Sequence, residues 1–232
     1  CHFGPSDHPE VPGRWQYYGV SLPFWRSYDK EDPRREFFYY DYTGDAKRDD
    51  QSDYGFHYMV PEEGVTVVPN DTTKYMQNVA TMKYTYDMIS DAYYDGRTIC
   101  IFRLSDVILC KAEIENNLNG PAAALPYLNQ IRARAGAPEY GKHNRFPAPS
   151  TKETMNDAIL KERGYELVFE FQRRADLIRF GKYEEVINAH LKKLGIAQPT
   201  NVTSSLRYFP YPLNDAQLNP NLAAENPSRL PK

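Results

Sequence analysis

Apolar residues recur at helical spacing from about Cys100 onward. The positions that predict a first helix are Leu104, Val107, Ile108, Ala112 and Ile114, and the pattern ends at 117–120. A second helix is predicted to open at Pro121, where a proline in the first turn loses no hydrogen bond. Its apolar positions are Ala124, Leu128, Ile131 and Ala135, and Gly136 ends it. The short connection predicts an antiparallel hairpin of the tetratricopeptide type.

The next stretch predicts one long helix that carries charges at almost every turn. It begins at Ser150, where Ser150 and Glu153 have the spacing of a capping box, and it ends at Gly181. Its apolar stripe consists of Leu160, Gly164, Leu167, Phe171, Ala175 and Ile178. A shorter helix is predicted over 183–194, followed by a proline-rich tail without helical periodicity.

The first hundred residues show a different pattern, rich in Tyr, Pro, Gly and Asp. Prolines interrupt any long helix there, so a short helix over Leu22–Tyr28 and strands over 37–42 and 65–68 are the predicted elements. The predicted fold class is mostly α, with tetratricopeptide-like helical hairpins (an α-α superhelix) and a loop-rich excursion. Residues 1–100 form the loop-rich aromatic region, 101–195 the helical region, and 196–232 a tail that wraps the surface.

Composition narrows the functional classes. The 232 residues carry a net charge of −3, so no basic field favours nucleic acid or anionic lipid. No apolar run reaches the length of a membrane span, and the first residues do not read as a signal peptide. Aromatic residues make up 14% of the chain, and many fall in predicted loops. Because Tyr and Trp combine a flat apolar face with a polar atom, this excess indicates binding surfaces.

Several sets of residues have the types that catalytic or metal sites use. Glu162, Glu166 and Glu170 share a helix face, but nearby Arg163, Arg173, Arg174 and Arg179 favour structural ion pairs over catalytic carboxylates. The histidines lack metal-ligand spacing, and the acidic loop at 45–53 lacks the glycine and terminal glutamate of a calcium loop. Cys100 and Cys110 are expected to be buried apolar residues. We therefore expect no catalytic residue, metal or cofactor.

The strongest binding candidates are aromatic side chains near the start of the chain. Pyranose rings stack their C–H faces on such side chains, so the predicted glycan-binding residues are Trp15, Tyr17, Tyr18, Trp25 and Tyr54. A core position is the alternative for the four residues at 15–25, and a strand is the alternative for the weaker candidate Tyr54. The core position is favoured for Trp25, which lies on the predicted short helix, whereas the three residues at 15–18 lie in a loop bounded by Gly and Pro.

Four motifs in order resemble the SusD/RagB family. They are 103–113 (RLSDVILCKAE), 128–136 (LNQIRARAG), 159–182 (ILKERGYELVFEFQRRADLIRFGK) and the tail 209–227 with Phe-Pro-x-Pro, Asn-Pro-Asn-Leu and Asn-Pro. The Asp32-Pro33-Arg34 triplet also matches. Departures are Phe171 where the family has Gly, Phe180 where it has Trp, and 228–229 where it has Gly-Tyr.

The resemblance implies a function that no single motif here encodes. Such proteins bind a nutrient, usually an oligosaccharide, at the outer face of the outer membrane. They do so without catalysis and deliver it to a SusC-like TonB-dependent transporter. The membrane would be reached only through a lipid anchor. The chain would be the C-terminal part of a longer protein, so Cys1 is not expected to be the lipid-bearing cysteine. A tetratricopeptide-type scaffold for a peptide or protein partner and a glycoside hydrolase are the alternatives.

Overall fold

The computed structural model describes residues 19–44, 57–63, 73–76, 78–83, 100–193, 202–219 and 221–222. The chain divides into two compact units, Cys1–Glu166 and Leu167–Lys232. In chain order, the described elements of the first unit are β1 (Val20–Ser21), α1 (Leu22–Arg26), a 3-10 turn (Pro33–Phe37), β2 (Phe38–Tyr39), β3 (Asp41–Thr43), β4 (His57–Met59), β5 (Thr73–Tyr75), β6 (Asn78–Thr81), α2 (Leu104–Asn119), α3 (Pro121–Ala135) and α4 (Lys152–Glu166).

The strands form small sheets beside the helices. β6 pairs antiparallel with both β1 and β2, while β4 pairs antiparallel with β3 and parallel with β5. The predicted helix at Leu22–Tyr28 is present over five residues, and the predicted strand at 37–42 is present as β2 and β3, split at Tyr40. The strand predicted at 65–68 lies outside the described residues.

The predicted helical hairpin is confirmed. A single residue, Gly120, joins α2 to α3 with a backbone φ of 87°, which a residue with a side chain rarely adopts. Both helices pack against each other and against α4. The core of this three-helix layer consists of side chains that are almost fully buried, namely Leu109, Leu128, Ile131, Met155 and Ile159. The mostly α fold is thus correct for the described helical region.

The apolar face that the sequence predicts for α2 is correct for Ala112, which is buried, but wrong for three of its five positions. Leu104 and Val107 are 72% and 60% exposed, and Ile114 is half exposed. The buried face carries Ala112, Leu109, which the predicted set lacks, and polar residues. Those polar groups find partners inside: Asp106 pairs with Arg163 of α4 at 2.8 Å. Because hydrogen-bonded polar groups can be buried, the spacing of apolar residues did not identify which face of α2 packs against the core.

The single long helix predicted from Ser150 to Gly181 is also wrong. Thr151 rather than Ser150 caps its start, because Thr151 Oγ1 accepts a hydrogen bond from Thr154 N at 3.2 Å. The helix then ends at Glu166 and is followed by a turn in which Phe169 and Phe171 have φ of 61° and 62°. A helix cannot continue through left-handed residues, so a new helix begins only at Arg173.

The second unit contains α5 (Arg173–Arg179), α6 (Tyr183–Lys193), a 3-10 turn (Ser204–Arg207) and α7 (Leu213–Leu218). The helix predicted at 183–194 is confirmed to Lys193, the last described residue of that stretch, while α7 falls in a tail predicted to lack helices. Arg174 joins these elements, since its Nη2 donates to the carbonyls of Leu206 and Arg207, each at 2.9 Å. Its guanidinium also lies 4.7 Å from the ring centre of Phe209.

Candidate functional site

The predicted glycan-binding residues fall mostly in segments that are not described. Trp15, Tyr17, Tyr18 and Tyr54 lie outside the described residues, so their assignment stays a prediction. Trp25 is described, and its side chain belongs to the core: the residue is 5% exposed.

Local packing explains why Trp25 points inward. Its indole Nε1 donates to the carbonyl of Arg35 at 3.4 Å, and the Arg35 guanidinium lies 4.1 Å from the ring centre. Tyr40 packs on the ring at 5.1 Å. The indole ring thus packs against Arg35 and Tyr40, and its N–H is hydrogen-bonded within the protein. These contacts agree with the core position that was favoured for Trp25.

Tyr28, another aromatic residue of this region, is buried against α4. It is 2% exposed, and its ring stacks on Tyr165 with a centroid distance of 4.2 Å. The hydroxyl of Tyr28 donates to the backbone carbonyl of Tyr165 at 3.1 Å, and the hydroxyl of Tyr165 donates back to the carbonyl of Ser27. Burial raises the pKa of Tyr165 to about 12, so both rings stay neutral at physiological pH. These aromatics attach the loop-rich region to the helices.

The carboxylates of α4 form a buried ion-pair network, as the sequence indicated. Glu162 is 1% exposed and accepts from Arg34 Nη1 and Arg132 Nη1, each at 2.7 Å. Glu166 accepts from Arg103 Nη1 and Arg134 Nη2 at 2.6 Å and from Arg34 Nη1 at 3.0 Å. One guanidinium, that of Arg34, therefore bridges two carboxylates one helical turn apart.

The arginine partners differ from those expected from sequence. The expected set lies on the same stretch of chain, yet Arg163 pairs with Asp106 and Arg174 contacts backbone carbonyls. Arg34, which is distant from α4 in the sequence, joins the network, and Asp32 orients its guanidinium. Asp32 accepts hydrogen bonds from Arg34 Nε at 3.0 Å and from Arg34 Nη2 at 2.7 Å. The Asp32 side chain also accepts from the backbone N–H of Arg34, which caps the 3-10 turn.

The electrostatics of Glu166 exclude it as a proton donor. Burial by itself would raise the pKa of this carboxyl, but the hydrogen bond from Arg103 and the charges of Arg103, Arg134 and Arg34 lower it to about 2. A carboxylate that is ionised at neutral pH and bonded to arginines on both oxygens holds no proton to transfer. The arrangement can brace α3, α4 and the Asp32–Arg34 turn against one another.

Metal chemistry finds no support in the described part of the chain. No cluster of three or more His, Cys, Asp or Glu side chains there has a metal-binding arrangement. Within the described residues, Cys100 and Cys110 form no disulfide, and both are half-buried, so the expectation of full burial is wrong for both.

A groove that sequence reasoning missed lies beside α4. One wall is the segment 137–149, here called the Tyr140 loop, in which the rings of Tyr140 and Phe146 meet edge to face at 5.6 Å. Both rings lie over the guanidinium of Arg132, whose Cζ is 4.8 and 4.6 Å from their centres. No motif marks this loop. The signal that could have indicated it was the presence of Tyr140 and Phe146 on either side of Gly141, shortly after the end of a predicted helix.

The backbone of the Tyr140 loop is fixed by hydrogen bonds. The side-chain amide of Asn129 both donates to the carbonyl of Tyr140 and accepts from its N–H, each at 2.9 Å. Gly141 N donates to Phe146 O at 2.7 Å, which closes the loop on itself. The aromatic wall is therefore held in place before any ligand arrives.

Comparisons with known proteins identify the family. The model of the SusD family matches residues 16–228. The SusD-like protein P25 of Formosa agariphila is 38% identical over 120 residues, which is 52% of this chain and 22% of that protein. The starch-binding protein SusD of Bacteroides thetaiotaomicron is 28% identical over 58% of this chain and 22% of its own length.

A solved structure is also similar. A SusD superfamily protein from Bacteroides vulgatus aligns with a TM-score of 0.41 and 28% identity, covering 52% of this chain and 25% of that one. The matches thus span about a quarter or less of the relatives' own length. Among the described helices, none has the length and apolar character that crossing a bilayer requires. Because the family model covers nearly the whole chain, the chain belongs to the SusD family.

Proposed function

We propose that this chain is part of a non-catalytic protein that captures a nutrient glycan at the cell surface. In this function it sits at the outer face of the outer membrane, held by a lipid anchor, and passes the glycan to a SusC-like TonB-dependent transporter. The observation that carries the proposal is the family match over residues 16–228. The name of a relative, the starch-binding protein SusD, gives the ligand class.

The buried carboxylates support binding rather than hydrolysis. Glycoside hydrolysis requires two carboxyl groups that face each other across a sugar, and one of them must hold a proton. Glu162 and Glu166 instead share a helix face, and both are shielded from solvent by arginines. Ligand contact is assigned to other aromatic residues, namely Trp15, Tyr17, Tyr18 and Tyr54.

The test is a glycan array followed by affinity electrophoresis with the polysaccharides that bind. We expect at least one polysaccharide to be retained, and we expect Trp15→Ala and Tyr18→Ala each to weaken retention, because a lost stacking platform removes apolar contact with the sugar face. Phe102→Ala is the matched control, since Phe102 is an aromatic residue that is 75% exposed and is not among the predicted glycan-binding residues. Unchanged retention in both loop variants would refute the site assignment.

A scaffold that binds a peptide is the second candidate, and one observation favours it. α2 turns apolar side chains outward, with Leu104 and Leu118 72% and 75% exposed. On this hypothesis, binding maps to 103–135 rather than to the aromatic segment. Leu104→Ser with Leu118→Ser would then abolish partner binding and leave glycan retention unchanged, which separates the two functions.

A further inference from the structure

The groove beside the Tyr140 loop has a second wall with different chemistry. Four residues of α4, at helical spacing, face it: Thr154, Asp157, Ala158 and Lys161. They offer a hydroxyl, a carboxylate, a small apolar floor and an ammonium in that order along the helix. The groove encloses about 550 Å³, within the range of roughly 300–1,000 Å³ typical of small-ligand sites.

Lys161 is the distinctive group of this wall. Its ammonium lies 5.7 Å from the ring centre of Tyr165, and within the described residues no side chain or carbonyl accepts a hydrogen bond from it. Partial burial, and then the charge of Arg132, lower its pKa, while the charges of Glu162 and Asp29 act in the opposite direction without reversing the shift. An ammonium that has lost part of its hydration and gained no acceptor is stabilised by any anion that reaches it.

Lys161 also stands where two grooves meet. A smaller groove of about 330 Å³ shares Lys161, Arg145 and Phe146 with the first. Arg145 is occupied, since its guanidinium pairs with Asp29 at 2.9 Å and with Glu31 at 2.6 Å. The positive charge available to a ligand at the junction is therefore that of Lys161.

We propose that the groove between the Tyr140 loop and α4 binds a sugar ring that carries an anionic group, either a carboxylate or a sulfate ester. The ring stacks its C–H face on Tyr140 and Phe146, a hydroxyl of the ring bonds to Asp157, and its anionic group pairs with Lys161. The residues of this site are different ones from the predicted aromatic residues at 15–18. It rests on the proposed function in taking a glycan as ligand.

Isothermal titration of the intact chain with defined oligosaccharides tests the site. The probes are an oligogalacturonate and its full methyl ester, and a sulfated galactan oligomer and its desulfated counterpart. We expect at least one anionic probe to bind, and Lys161→Gln to weaken it about tenfold, the effect of losing one hydrogen bond to a charged group. The uncharged counterpart should bind more weakly than its anionic partner and should not respond to Lys161→Gln. Which anionic probe binds distinguishes carboxylate from sulfate.

The control is Lys142→Gln, which likewise removes one positive charge, but from the Tyr140 loop rather than from α4. Lys142 pairs with Glu139 at 2.7 Å and does not line the groove, so a general charge effect would appear in both variants. Equal weakening by the two changes, or equal binding of charged and uncharged probes, would overturn the proposal while glycan binding as such stands. If no glycan of any kind binds, the proposed function fails as well. Lys161-dependent binding of a polyglutamate peptide without any anionic sugar would also overturn the proposal.

Discussion

The two units hold glutamate–arginine pairs of the same length in opposite surroundings. Glu162 and Arg132 in the first unit are 2.7 Å apart with side chains 1% and 2% exposed. Glu184 and Arg207 in the second unit are also 2.7 Å apart, but their side chains are 23% and 37% exposed. Distance is therefore a poor guide to what a pair contributes, because water can replace a lost partner at Glu184–Arg207 but not at Glu162–Arg132.

The most severe test of this difference is to remove one carboxylate from each unit. Glu162→Ala leaves Arg132 buried without its counter-charge and removes one of the three carboxylates around Arg34. We expect it to lower the free energy of unfolding by about 3–5 kcal/mol. The matched change, Glu184→Ala, should leave the urea midpoint within experimental error, since water solvates Arg207. Urea titration followed by circular dichroism measures both. A Glu184→Ala loss as large as that of Glu162→Ala would remove the distinction between the units.

Acid titration sharpens the comparison at Glu166. The folded-state pKa of this carboxyl is about 2 against an ordinary value of 4.5. Its contribution to stability is therefore complete above pH 4.5 and is lost as the pH falls through 2. At about 1.4 kcal/mol for each pK unit, that contribution is roughly 3 kcal/mol at neutral pH.

The measurement is the stability difference between the wild type and Glu166→Gln at several pH values. We expect this difference to stay constant from pH 7 to about 5 and to shrink by more than half by pH 3. Glu184→Gln in the second unit serves as the control and should show little pH dependence, because its interaction is screened by solvent. A difference at pH 3 equal to that at pH 7 would mean that the arginines do not hold Glu166 ionised.

Local signals in the sequence predicted the helical framework well. The hairpin could be predicted at Gly120–Pro121 because both residues affect only their immediate neighbours. Gly120 ends α2 with a positive φ, and Pro121 begins α3 in its first turn. The same reasoning failed for α2, where Asp106 lies on the buried face because Arg163 neutralises it. It also failed at the end of α4, where Phe169 and Phe171 adopt left-handed angles that their side chains give no reason to expect.

The site was less predictable than the fold. Charge spacing identified Glu162 and Glu166 as ion-paired, yet Arg34 reaches Glu162 across 128 residues of sequence, and no helical period encodes such a contact. The groove beside the Tyr140 loop was missed for the same reason. Its walls come from separate segments, and only the folded chain brings Phe146 opposite Lys161.

The smallest expected difference between the units concerns two helix ends that share one hydrogen-bond pattern. At Gly136, the next N–H donates back to Arg132 O at 2.9 Å, and at Gly181 the next N–H donates to Leu177 O at 2.8 Å. The glycines have φ of 72° and 68°, so alanine at either site costs about 1–2 kcal/mol for the left-handed backbone. A Cβ at Gly136 would also lie 3.2 Å from Pro33 Cγ, whereas at Gly181 it would meet nothing within 4 Å in the described structure.

Gly136→Ala should therefore destabilise the protein more than Gly181→Ala, and urea titration of the two variants measures the excess. The reason for the excess is that Pro33 stands between Asp32 and Arg34 in the chain. The Arg34 guanidinium bridges Glu162 and Glu166, so a shift of the proline would also displace these buried ion pairs. Asparagine, which tolerates left-handed angles, separates the two causes. Gly181→Asn should recover most of the loss seen with alanine, while Gly136→Asn keeps the contact with Pro33 and should not. Equal recovery at both positions would show that the helix end at Gly136 is independent of the ion pairs beneath it.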